Sequence, residues 1–64
     1  KMSTRIYDTR EENDLGITGD FAVWKFYGGV IRGSCIGLAI NGEQIEIPLR
    51  TFEELIKRFN KNND

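Results

Sequence analysis

Cys35-Ile36-Gly37-Leu38-Ala39-Ile40-Asn41-Gly42-Glu43-Gln44-Ile45-Glu46-Ile47-Pro48-Leu49 is the stretch that decides the fold. Ile36, Leu38 and Ile40 alternate with small residues, and after Asn41-Gly42 the alternation resumes at Ile45, Ile47 and Leu49. An Asn-Gly pair accepts positive φ at both central positions of a type I′ turn, whose twist matches that of the flanking strands. A two-residue turn here sets Ile40 opposite Glu43, Leu38 opposite Ile45 and Ile36 opposite Ile47. The aliphatic side chains then share one face.

Working back from this hairpin, Phe21-Ala22-Val23-Trp24-Lys25-Phe26-Tyr27 has strong strand propensity. Gly28-Gly29 offers a turn that pairs Lys25 with Arg32, Trp24 with Gly33 and Phe21 with Ile36. A bulge at Gly33 is the alternative, and it would move one strand's side chains to the other face. Arg5-Ile6-Tyr7 is a candidate short strand. Working forward, Thr51-Phe52-Glu53-Glu54 has the spacing of a capping box. Phe52, Leu55, Ile56 and Phe59 form one helical stripe. Acidic residues near the start and basic ones near the end complement the helix dipole.

The expected fold is therefore α+β: a small antiparallel sheet of three to four strands, built as two consecutive hairpins, with one C-terminal amphipathic helix packed on one face. The 64 residues make a single domain. Within it, 1–20 form a polar N-terminal segment, 21–50 the sheet, 51–60 the helix and 61–64 a frayed tail. Met2 is read as the natural start, with Lys1 an added residue, and no signal peptide or membrane span is expected. A cytoplasmic protein is the expectation.

Several chemistries are excluded by composition. The chain has no histidine and one cysteine, Cys35, so the usual zinc sets and the Ser-His-Asp and Cys-His nucleophile systems cannot form. Glu11, Glu12 and Asp14 lack the spacing of a calcium loop and read as a solvated polar segment. No glycine run has the spacing of a phosphate cradle. No metal, no cofactor and no enzymatic activity are expected. A net charge of −1 argues against a strongly basic nucleic-acid binder.

The second sheet face draws attention. It carries Trp24, Phe26, Ile31, Cys35 and Ala39, small residues beside aromatics, where a face meeting only water would be polar. Three coverings are open: the N-terminal segment through Ile6, Tyr7, Leu15 and Ile17, a second copy of the chain, or another protein. Cys35 reads as a buried inert thiol. Lys25 and Arg32, if they pair across the hairpin, repel one another. A carboxylate or a bound anion would relieve that repulsion.

Ile45-Glu46-Ile47-Pro48-Leu49 leading into Phe52-Glu53-Glu54-Leu55-Ile56, a strand entering a helix behind a compact antiparallel sheet, resembles the positive-cofactor family of single-stranded-DNA-binding coactivators. The resemblance covers about a quarter of the chain. It implies a nucleic-acid-binding module.

The leading expectation is a non-catalytic regulatory or accessory protein, acting through protein–protein contact as a homodimer anchored by Trp24, Phe26 and Ile31. An unidentified protein is the other expected partner, and no membrane is involved. The runner-up is a binder of single-stranded nucleic acid, with Trp24, Phe26 and Tyr27 stacking on bases and Lys25, Arg32 and Arg50 meeting phosphates. A third reading is an inhibitor of a cellular enzyme encoded by a phage or mobile element.

Overall fold

Asn41 and Gly42 take φ angles of 50° and 88°, the two positive values that a type I′ turn requires. The hairpin they close has the expected register, with Ile40 opposite Glu43, Leu38 opposite Ile45 and Ile36 opposite Ile47. The computed structural model describes residues 3–62. Its elements run β1 (Ser3–Asp8), β2 (Phe21–Tyr27), β3 (Ser34–Ile40), β4 (Glu43–Pro48) and α1 (Leu49–Lys61). The four strands form one antiparallel sheet in sequence order, and α1 packs against its β3–β4 half. The α+β architecture is as the sequence indicates.

The first hairpin corrects the expected register by four residues. Tyr27 pairs with Ser34, and Trp24 with Gly37 in place of Gly33. Residues 28–33 form a six-residue loop instead of a two-glycine turn. Its backbone is closed by Gly28 N–H donating to the Gly33 carbonyl and Gly33 N–H donating to the Gly29 carbonyl, each at 2.7 Å. Packing decides this register. A Cβ on Gly37 would overlap the Trp24 indole, so the indole occupies space that only glycine leaves open. The same shift sets Phe21 beside Ile40 and Val23 beside Leu38. Because the shift is even, each strand keeps the face assigned to it, and no bulge forms at Gly33.

The N-terminal segment contributes a full edge strand, longer than Arg5-Ile6-Tyr7, with a bulge between Arg5 and Tyr7. Residues 9–20 connect it to β2. Asn13 organises that connection: its side chain donates to the Ile17 carbonyl at 2.8 Å and accepts from Ile17 N–H at 2.9 Å. The Tyr7 hydroxyl accepts from Leu15 N–H at 3.1 Å and donates to Asp14 Oδ1 at 3.1 Å. Burial is the main cause that raises the Tyr7 pKa above the ordinary tyrosine value.

The capping box does not form. α1 begins at Leu49, two residues before the expected start, with Pro48 as a cap that makes no side-chain hydrogen bond. Proline suits this boundary, since its ring fixes φ and no N–H is left to satisfy. Thr51 therefore lies inside the first turn, and Glu54 instead meets Arg58 one turn on at 3.2 Å. Lys61 is helical, and Asn62 closes the helix by donating its backbone N–H to the Arg58 carbonyl. The expectations for Lys1, Met2 and the last two tail residues lie outside the described residues.

Candidate interaction surfaces

Strand register sorts the side chains into two faces. Phe21, Val23, Ile36, Leu38, Ile40, Ile45 and Ile47 lie on one, the aliphatic face. The other carries cross-strand rows of Ala22, Ala39 and Gln44, of Trp24, Gly37 and Glu46, and of Phe26, Cys35 and Pro48.

On the Trp24 face the chain packs against itself at two points, Gly37 and Cys35, which are buried. Trp24 lies against Gly37. Cys35 is fully buried, its thiol donating to the Gly33 carbonyl at 3.6 Å, and a side chain on Gly28 would strike its sulfur. Arg32 stands over the Phe26 ring, 5.9 Å from the centroid, within cation–π range, and pairs with Glu46 at 3.4 Å. Trp24, Phe26 and Ala39 are each half-buried. The expected place of Ile31 on this face is corrected: it lies in the 28–33 loop, off the sheet, and is 90% exposed beside Val30 at 93%.

At the far end of this face is a pocket of about 240 Å³, lined by Ala22, Ala39, Gly42, Arg10, Asp20 and Gln44 among others. Small-molecule sites run to about 300–1,000 Å³. The Asp8 carboxylate beside it is already engaged by Arg10, whose hydrogen bonds hold the Asp8 pKa below the usual carboxylate value.

The expected opposition of Lys25 and Arg32 does not occur. Lys25 faces Ile36 on the aliphatic side of the sheet, whereas Arg32 sits in the loop on the other side. Arg50 does reach Arg32, donating from Nη1 to its backbone carbonyl at 3.1 Å. Tyr27 shares the aliphatic face with Lys25 and is exposed, so Tyr27 and Trp24 point to opposite sides. The structure thus joins Arg32, Arg50 and Phe26 around the loop and leaves Lys25 and Tyr27 apart from them.

Openness lies on the aliphatic face, which sequence reasoning assigned to the core beneath the helix. Ile36 is buried, but Ile40 and Ile45 are 52% and 56% exposed. The stripe on α1 is open too: Leu55 and Ile56 are half exposed, Phe59 is 66% exposed and no helix residue is buried. The signal that sequence reading missed is the join itself, with no residue between the end of β4 at Pro48 and the start of α1 at Leu49.

Among the described residues there is no cluster of three or more potential metal-ligating side chains and no helix long and apolar enough to cross a membrane. Compared with family models, curated proteins and solved structures, the chain matches none of them.

Proposed function

We propose that the chain is a non-catalytic regulatory or accessory protein that works through protein–protein contact as a homodimer, associating by its aliphatic sheet face and the α1 stripe. One observation carries this reading. The chain exposes 5262 Å², against about 4,200 Å² for a folded monomer of its mass. The excess, about 1,000 Å² per chain, compares with the roughly 800 Å² per partner of a standard interface. The radius of gyration agrees, at 13.1 Å where about 10.7 Å is usual for this length.

Other features support the rest of the reading. The lack of histidine and the enclosure of the lone thiol favour a role without covalent or acid–base chemistry, and a free thiol suits the cytoplasm. Binding of single-stranded nucleic acid finds less support, because Lys25 and Tyr27 lie on the face opposite Trp24 and Phe26, so the basic and stacking groups do not share one surface. The enzyme-inhibitor reading is one form of the same protein–protein contact.

Sedimentation equilibrium over a hundredfold dilution tests the proposal. A mass of two chains that dissociates on dilution is expected, with a thermal midpoint that rises with protein concentration. A single-chain mass and an unchanged midpoint throughout would overturn it.

A further inference from the structure

The stripe on α1 and the aliphatic face of the sheet are both apolar, yet within one chain each keeps exposed residues. The reason is covalent. A helix lying on a sheet sits about 10 Å above it, as packed layers do. One extended residue spans at most about 3.6 Å, so crossing between the layers takes about three residues. This chain has none: β4 ends at Pro48 and α1 begins at Leu49. The helix meets the sheet through β3 and β4; Leu49 and Phe52 in its first turn are half-buried, whereas the later residues of the stripe, Leu55, Ile56 and Phe59, stay exposed.

The two open surfaces match in size and character. α1 has 13 residues and is therefore about 20 Å long, the length of a six-residue strand. At 100° per residue, Phe52, Leu55, Ile56 and Phe59 fall on one side of the helix, while Arg50, Glu54, Lys57 and Lys61 fall on the other. The stripe is bordered by Thr51 and Asn60, which are uncharged. On the sheet, Val23, Leu38 and Ile45 form an uncharged central row, flanked by a row in which Glu43 stands beside Ile40 and a row in which Lys25 stands beside Ile36. The charges at the rim of this area, Lys25 and Glu43, are of opposite sign, and the middle of each surface is uncharged.

We infer that the occupant of each sheet face is the α1 helix of a second copy, so that two chains exchange helices reciprocally. Phe52, Leu55, Ile56 and Phe59 of one protomer cover Val23, Leu38, Ile40 and Ile45 of its partner. Two-fold symmetry makes each contact twice and closes the assembly at two chains. The inference rests on the homodimer reading and specifies its geometry.

Isotope-filtered NMR on a mixed sample, one chain labelled with carbon-13 and the other unlabelled, tests it. Intermolecular contacts between the Leu55 and Ile56 methyls and those of Leu38, Ile40 and Ile45 are expected. A dimer whose intermolecular contacts join only sheet to sheet or edge to edge overturns the exchange and leaves the homodimer standing. A monomer overturns both. A second variant probes the junction: a flexible Gly-Ser insertion between Pro48 and Leu49 lets α1 fold back on its own sheet, where the effective concentration is in the millimolar range. That chain is expected to dissociate at least tenfold more readily than the parent. An inserted chain that dimerises as tightly as the parent counts against the exchange.

Discussion

The Asp8 carboxylate accepts three hydrogen bonds from a single residue two positions on: Arg10 backbone N–H at 2.9 Å, Nε at 3.2 Å and Nη2 at 3.0 Å. The guanidinium and the backbone N–H together lower the Asp8 pKa. A depressed carboxylate pKa stabilises the folded state at pH values above the unfolded value, and that contribution is lost as pH falls through the folded one. Arg10→Met should therefore unfold at a lower temperature than the parent at neutral pH. The gap should close once the pH falls below the carboxylate range. Thermal melts followed by circular dichroism at the two extremes check this, and a gap that persists in acid would mean that Arg10 acts other than through Asp8.

Gly37→Ala distinguishes packing from propensity. Alanine in a strand is ordinarily better than glycine by roughly 0.5–1 kcal/mol. Here its methyl group would overlap the Trp24 indole, and overpacking of this kind costs typically about 1–3 kcal/mol. Destabilisation is expected, read from the midpoint of urea unfolding.

Tyr7→Phe removes the hydroxyl that joins β1 to Asp14 and Leu15. A loss of about 0.5–1.5 kcal/mol is usual for one such hydrogen bond. Faster amide hydrogen exchange should be confined to residues 13–17, with the sheet amides unchanged. Exchange that quickens uniformly would place the hydroxyl's role in global stability instead.

Substituting both Val30 and Ile31 by serine should leave the thermal midpoint where it is. Both side chains are almost wholly exposed, and changes at such positions usually stay within about 0.5 kcal/mol. The loop's shape comes from its glycines and backbone hydrogen bonds, not from these side chains. A drop of several degrees would show that the tip is buried in solution.

The Asn41-Gly42 hairpin was legible because turn chemistry sets its register and the alternation on both strands agrees with it. In the first hairpin they do not: Gly28-Gly29 invites a two-residue turn, and the fit of Trp24 onto Gly37 overrules it. That fit lies between residues on different strands, where local patterns carry no signal. Thr51 and Glu54 have correct capping spacing, but the helix starts upstream of them, at Pro48. Both faces were readable from side-chain parity. Their roles were not, since which face stays open depends on the direction in which α1 leaves Pro48. Ile31 was lost with the register, because a loop residue has no sheet face. Thus the candidate surface built on Trp24 was legible as apolar, but the packing of its indole onto Gly37 was not.

Trp24 is the chain's one tryptophan, and it sits on the face opposite the exposed aliphatic residues. Its emission therefore reports the integrity of the sheet from a position removed from Ile40, Ile45 and the α1 stripe. Far-ultraviolet circular dichroism reports chiefly on the helix, Leu49–Lys61. Two optical signals are thus assigned to two parts of one small chain without any label. Coincident melts would mark sheet and helix as a single cooperative unit, whereas an earlier dichroism transition would mark α1 as a separate one.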